Sequence, residues 1–343
     1  MGVLTGPLPL IPPKGVPGSQ QKKSPSVVAL GGGHGLAASL SALRLLTSEL
    51  TAIVTVADDG GSSGRLREEY GVLPPGDLRM ALSALCDDTD WGRTWRDVMQ
   101  HRFEAGSAKG SPAKGGSLDN HAMGNLLIVT LWELLGDTVA GLKWAGALLG
   151  ARGQVLPMSS IPLTIEGKAS VELPDGGHEL RTVRGQAKCA VAGKLEEVKL
   201  FPEDAPACTE ALTAIELADW VILGPGSWYT SVLPHLLLPE LRQALGDTAA
   251  KRCLTMNLDV ETKETSGMTA ADHLDVLRRY APEFSVDVVL ADPAAIQDLK
   301  AFEKAAGMIG AEVVLGRVGA SRRRPVHDPL LLAAAYHDIF GNS

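Results

Sequence analysis

The chain has 343 residues, 45% hydrophobic and 4% aromatic, with a formal net charge of −8. That length suits one large α/β domain, or a core with a smaller appendage, and the apolar content is enough for a sizeable core. The negative charge and the shortage of rings exclude a general nucleic-acid binder, which needs cations for phosphates and aromatics for bases.

In chain order, residues 1–25 are rich in Pro and Gly, lack a charged–apolar–cleavage leader, and are expected to form a disordered tail. Residues 26–343 read as a single domain. Val27–Leu30 is a short β run that flows into Gly31-Gly32-Gly33-His34-Gly35, and Leu36–Leu46 then has helical spacing. With a strand at Thr51–Ala57 this makes a βαβ unit, expected to be right-handed with parallel strands. Asp77 is placed to cap a helix over Leu78–Leu85, and Trp91–Phe103 reads as a surface helix. Residues 105–117 are low-complexity and read as a mobile loop. Ala122–Leu135 and Thr138–Leu149 are strongly apolar helices that could cover the sheet or face another subunit. From Gln154 to Phe201 short alternating runs between turn signals suggest an antiparallel insert of hairpins. The α/β rhythm then returns, with strands at Trp220–Leu223, Cys253–Asn257, Asp287–Ala291 and Glu312–Leu315. Helices are expected at Ser231–Leu245, Ala270–Tyr280, Ala294–Ala306 and Pro329–Ile339. The fold class is α/β: a Rossmann-like, mostly parallel sheet flanked by helices, with a small antiparallel β-hairpin insert. Cys86, Cys189, Cys208 and Cys253 form no C-x-x-C pair, which argues against zinc knuckles and for reduced thiols in a cytoplasm. No apolar run reaches membrane-spanning length, so no membrane partner is expected.

The densest chemistry lies in Thr51–Arg79, TAIVTVADDGGSSGRLREEYGVLPPGDLR. A β-branched run ends in Asp58 and Asp59, then a loop of small residues carrying Ser62 and Ser63, then Arg65 and Arg67, and finally Asp77. Carboxylates, hydroxyls and guanidiniums at a strand exit suit a polyanion or a metal. Asp58, Asp59 and Asp77 could hold one magnesium ion, with Asp59 and Asp77 as its main ligands, though no cofactor is demanded. Arg65 can grip a phosphate bidentately or pair with Asp58. Gly33-His34-Gly35-Leu36-Ala37-Ala38 fits G-x-G-x-x-A between strand and helix, so Gly32, Gly33, His34 and Gly35 could receive a phosphate at the helix N-terminus. A tight turn that holds nothing fits the same residues. A second glycine loop, Gly224-Pro225-Gly226-Ser227, also opens a helix, and ligands in open α/β sheets bind at such strand ends. Asn125, polar at the start of an apolar helix, either ties the loops together or touches ligand. Arg322, Arg323 and Arg324 lie on another strand's exit side, where one of them could meet a diphosphate.

Three stretches together, GGGHGL, TVADDGGSSGRLREEYGVLPPGDLR and GPGSWYTSVLPHLL, resemble the gluconeogenesis-factor (YvcK-like) family, related to the phospholactate transferase (CofD) superfamily of deazaflavin coenzyme biosynthesis. NHAMGNLL and NLDVETKETSGMTAADHL resemble further family segments, with Asn120 and Lys263 standing where glycines are usual. The resemblance implies a Rossmann-like core that binds a nucleotide sugar, notably UDP-N-acetylglucosamine. It implies a cytoplasmic regulator, with an unknown protein partner, needed for cell shape and cell-wall precursor supply on gluconeogenic carbon sources. The transferase branch implies the alternative: magnesium-dependent transfer of a phospholactyl group to a deazaflavin, with Asp58, Asp59 and Asp77 as metal or base positions. A NAD-dependent oxidoreductase is a third reading, without an evident hydride-site acid/base pair. A homo-oligomer is compatible with every one of these.

Overall fold

The structure, a computed structural model, describes residues 24–104, 116–172, 178–321 and 324–341. Most of the expected tail (1–23), most of the low-complexity loop (105–115) and the 173–177 turn lie outside the described residues. The βαβ unit forms from β1 (Val27–Gly31), α1 (Gly33–Leu43) and β2 (Leu50–Val54), with β1 and β2 parallel. Five helices follow: α2 (Gly61–Tyr70), α3 (Pro75–Leu85), α4 (Asp90–Gln100), α5 (Met123–Leu135) and α6 (Thr138–Leu149). The chain re-enters the sheet as β3 (Gln154–Pro157). It then builds the insert from β4 (Thr164–Glu172), β5 (His178–Arg184), the short α7 (Gln186–Cys189) and β6 (Lys194–Phe201). Next come α8 (Thr209–Glu216), β7 (Trp220–Leu223), a π-helical turn at Trp228–Val232, α9 (Pro234–Leu237), α10 (Pro239–Asp247) and β8 (Lys251–Thr255). The last third is α11 (Ala270–Tyr280), β9 (Val288–Ala291), α12 (Leu299–Met308), β10 (Glu312–Leu315), β11 (Gly319–Ser321), β12 (Arg324–His327) and α13 (Pro329–Gly341).

The main sheet has seven parallel strands in the order β3-β2-β1-β7-β8-β9-β10. Strand order runs outward from β1 to β2 and β3, then restarts on the other side of β1 with β7. The reversal between β1 and β7 is a topological switch point, and a crevice opens there beyond the strands' carboxyl ends. The central strands VVALG, LTAIV and WVIL are buried at every residue, as in a parallel sheet covered on both faces. Among the described residues, no helix is long and apolar enough to cross a membrane.

Three local readings change. The antiparallel insert begins at Thr164, not Gln154: Gln154–Pro157 pairs parallel with β2, and its buried Val155 and Leu156 make the unbroken apolar run of an edge strand in the main sheet. The small residues after Asp59 form the first turn of α2 instead of a loop; a Cβ on Gly64 would lie 2.1 Å from the Asp59 carbonyl oxygen. The single helix expected over Ser231–Leu245 is three pieces, because Pro234 and Pro239 each start a new helix.

The switch point is tied from behind by a buried hydroxyl network. Ser39 Oγ on α1 donates to the Gly224 carbonyl at 2.9 Å and lies 3.0 Å from Tyr336 Oη, which is 2.8 Å from Thr255 Oγ1. One phenol on α13 thus links α1 to the end of β8. Tyr336→Phe keeps the ring and removes that link; it should lower stability in urea by about 1–2 kcal/mol with an unchanged m-value. An unaltered midpoint would contradict the network.

Candidate functional site

The two glycine turns meet. Gly32 caps α1 in extended conformation, and Gly33 takes φ +56°, a left-handed turn that suits glycine. A Cβ on Gly35 would stand 2.2 Å from the Pro225 carbonyl oxygen and 2.6 Å from Gly226 Cα, so only hydrogen fits between the turns. Asn257, just past β8, fixes the second turn from both sides: Gly226 N–H donates to Asn257 Oδ1 and Asn257 Nδ2 donates to the Gly226 carbonyl, each at 2.9 Å. Gly33, Gly35 and Gly226 are therefore brought together where the turns meet, with Gly32 and Gly224 buried behind them and His34 exposed on the first turn of α1.

Each turn is backed by a carboxylate. Asp77 does not cap its own helix; it lies across the crevice floor, accepting hydrogen bonds from Thr55 Oγ1 at 3.2 Å and from the Gly33 N–H. Burial and the neighbouring Asp58 raise its pKa to about 6. Asp58 accepts from the Gly60 N–H at 2.9 Å and from Ser63, and burial also raises its pKa. Behind the second turn, Glu264 is 2% exposed. It faces the Ser227 and Thr230 hydroxyls and the Trp228 and Tyr229 amides without closing a hydrogen bond to any of them. Ser227, expected on ligand, is thus turned to an internal acid.

Other expected site residues are committed elsewhere. Asp59 accepts from the Ala187 N–H at 2.9 Å, and a Cβ on Gly185 would run into it, so it latches the insert to the β2 exit instead of joining Asp77. Among the described residues, no three His, Cys, Asp or Glu side chains gather as a metal cage, so the three-carboxylate set does not assemble. Asp58 and Asp77 stay electrostatically coupled, and two carboxylates plus ligand phosphates suit magnesium. Ser62 Oγ accepts from Asn125 Nδ2 at 3.0 Å and Ala122 N at 3.3 Å, and sits 3.1 Å from His121 Nδ1. Ser63 Oγ accepts from the Gly76 N–H at 2.8 Å. Asn125, 1% exposed, gives its oxygen to Arg79 Nε at 2.9 Å, so both ends of its amide serve packing in place of ligand contact. Arg65 is exposed and donates to the Asp119 carbonyl at 2.7 Å. Arg67 is nearer the acids: it feels Asp58 and Asp59, donates to Thr164 Oγ1 at 2.9 Å, and keeps a buried, unpaired Nη1. Arg322, Arg323 and the Arg324 side chain lie outside the described residues.

A cavity that no sequence motif marks adjoins the turns. It measures about 890 Å³ and is lined by Leu258, Asp292, Arg317, Gly319, Ser321 and Pro325, at the exits of β8, β9 and β10. Asp292 braces it, accepting from the Ala294 N–H at 2.9 Å and the Val318 and Gly319 N–H groups at 3.0 Å each. Asn257 and Leu258 join cavity to crevice, and their position at the exit of a predicted strand was the available signal.

A doubly wound parallel sheet with two glycine turns abutting at its switch point places the chain among the Rossmann-like α/β proteins. The family model described as 2-phospho-L-lactate transferase CofD matches residues 27–314. A Halalkalibacterium halodurans protein named gluconeogenesis factor is 38% identical over 277 residues, covering 80% of each chain. A Mycobacterium tuberculosis protein, given the same name provisionally, is 48% identical over 317 residues, covering 91% of this chain and 90% of its own. The crystal structure of a UPF0052-family protein from Bacillus halodurans superposes with a TM-score of 0.77 at 33% identity, covering 91% of this chain and 98% of that one. The chain belongs to the CofD family, among its gluconeogenesis-factor members.

The raised pKa of Asp77 has a thermodynamic sign. The folded state holds a proton that the unfolded chain gives up from about pH 4, so stability falls as pH rises towards 6. Asp77→Asn should therefore melt above the parent at about pH 7.5, with the gap closing near pH 4. Equal melting at both pH values would show that the carboxyl is not perturbed.

Proposed function

We propose that the chain is a cytoplasmic regulator that binds a nucleotide diphosphate sugar of the UDP-N-acetylglucosamine type, and acts on cell shape and cell-wall precursor supply during gluconeogenic growth. The observation that carries the binding reading is the contact of the two glycine turns at the switch point, beside a cavity of about 890 Å³. The α1 N-terminus, and the close approach that glycines without a Cβ permit at Gly33, Gly35 and Gly226, suit a diphosphate. The cavity is large enough for a nucleoside or sugar, and Arg317 supplies a cation at its wall. The gluconeogenesis-factor relatives support the regulatory part.

Asp77 and Asp58 would hold a magnesium ion against the ligand's phosphates, where its charge would offset theirs. Without metal, Asp77 must be protonated to accept an anion beside it. Titration calorimetry with UDP-N-acetylglucosamine tests the reading. Metal-free affinity should be tighter at about pH 5.5 than at about pH 7.5, following Asp77. Arg317→Ala should weaken binding by about tenfold or more. No heat and no thermal shift at millimolar ligand would remove the proposal.

The family description supports a second reading, transfer of a phospholactyl group. In it Arg67 and the Asp58–Asp77 pair would meet the charge developing on the phosphoryl oxygens. It predicts a magnesium-dependent phosphodiester product from a guanylyl-diphosphate donor, lost in Asp77→Asn; unchanged turnover in that variant would reject it.

A further inference from the structure

On the side of the crevice away from the cavity, Arg79 lies near Arg102, and Arg65 bonds the same turn as Arg102; among the described residues none of the three hydrogen-bonds a carboxylate. Arg79 is 4% exposed and yet bonds only neutral amides, Asn125 Oδ1 at 2.9 Å and Gln100 Oε1. Its Nη2 makes no hydrogen bond among the described residues. A Cβ on Gly124 would stand 2.8 Å from Arg79 Cδ, so that glycine lets the arginine stem lie over α5. Above it, Arg102 Nη1 donates to the Asn120 carbonyl at 3.1 Å, and Arg65 Nη2 to the preceding carbonyl, of Asp119, at 2.7 Å. Asn120 is the non-glycine residue with positive φ among the described residues, at +61°, so this turn is held in a conformation that side chains resist. Burial, and then repulsion from the nearby Arg102, pull the Arg79 pKa down to about 10, still charged at neutral pH.

A buried guanidinium beside a second one is costly unless an opposite charge joins them. Asp77 and Asp58 act on Arg79 through space, while its hydrogen bonds go to Asn125 and Gln100. Among the described residues, the donors left over are the Arg79 Nη2 and the exposed guanidiniums of Arg65 and Arg102, each of which spends one nitrogen on a carbonyl.

We infer that Arg79, Arg102 and Arg65 form a second anion site, separate from the glycine turns, which takes a phosphate-sized oxyanion group: a phosphate or carboxylate of a second ligand or of the far end of a long one. The site does not depend on which nucleotide, if any, occupies the crevice. It implies that the protein handles two anionic groups at once, one on each side of Asp77.

Inorganic phosphate is the probe. In thermal unfolding of the full chain, phosphate should raise the melting temperature beyond sodium chloride of equal ionic strength. Arg102→Gln, which keeps a donor for the Asn120 carbonyl, should need about tenfold more phosphate for the same rise. Arg317→Ala, across the crevice, should respond to phosphate like the parent while losing affinity for UDP-N-acetylglucosamine. No rise over chloride, or an equal rise in parent and Arg102→Gln, would overturn the second site. Loss of sugar-nucleotide binding with an intact, Arg102-dependent phosphate response would count against the proposed function and leave this site standing.

Discussion

The close approach of Gly35 to Pro225 and Gly226 is the constraint on which the rest depends. Two loops from strands separated by nearly two hundred residues touch where no side chain fits. The parallel pairing of β1 with β7 brings those loops to one place, and the Asn257 clamp and the Ser39–Tyr336–Thr255 hydroxyls keep them there. Van der Waals contact between backbones sets the N-terminus of α1 beside the second turn with no Cβ between them, which gives the switch point its capacity for an anion.

The acids give that capacity its conditions. Asp77 already occupies the N-terminus of α1, and Glu264 the start of the turn after β7. Asp77 satisfies the α1 terminus when no ligand is bound, Glu264 keeps both oxygens unpaired, and either carboxylate repels an incoming phosphate unless a proton or a cation compensates. The fold thus couples anion binding to pH and to divalent metal through one side chain. Arg67, with its buried unpaired nitrogen near Asp58 and Asp59, adds a cation on the same side.

Much of this was legible in the sequence because parallel strands and glycine turns leave local marks. The unbroken apolar runs, the G-x-G-x-x-A turn and the second glycine loop located the crevice before any coordinates. Side-chain direction was not legible. Asp58 and Asp59 are neighbours on a strand exit and so point apart: one stays at the crevice and the other reaches the insert at Ala187. Ser62, Ser63 and Asn125 looked like ligand groups because they are polar in apolar surroundings, yet the same polarity closes the joint between α2, α3 and α5. Arg67 in place of Arg65 follows from helical phase, since the small residues after Asp59 are a helix turn and set which arginine faces inward.

A crystal structure with UDP-N-acetylglucosamine bound would show whether the glycine turns hold the diphosphate. The diphosphate should lie over Gly33–Gly35, within hydrogen-bond distance of the α1 N-terminal amides and packed against Gly226, with nucleoside or sugar beside Leu258 and Arg317. A diphosphate bound clear of both glycine turns would contradict this placement.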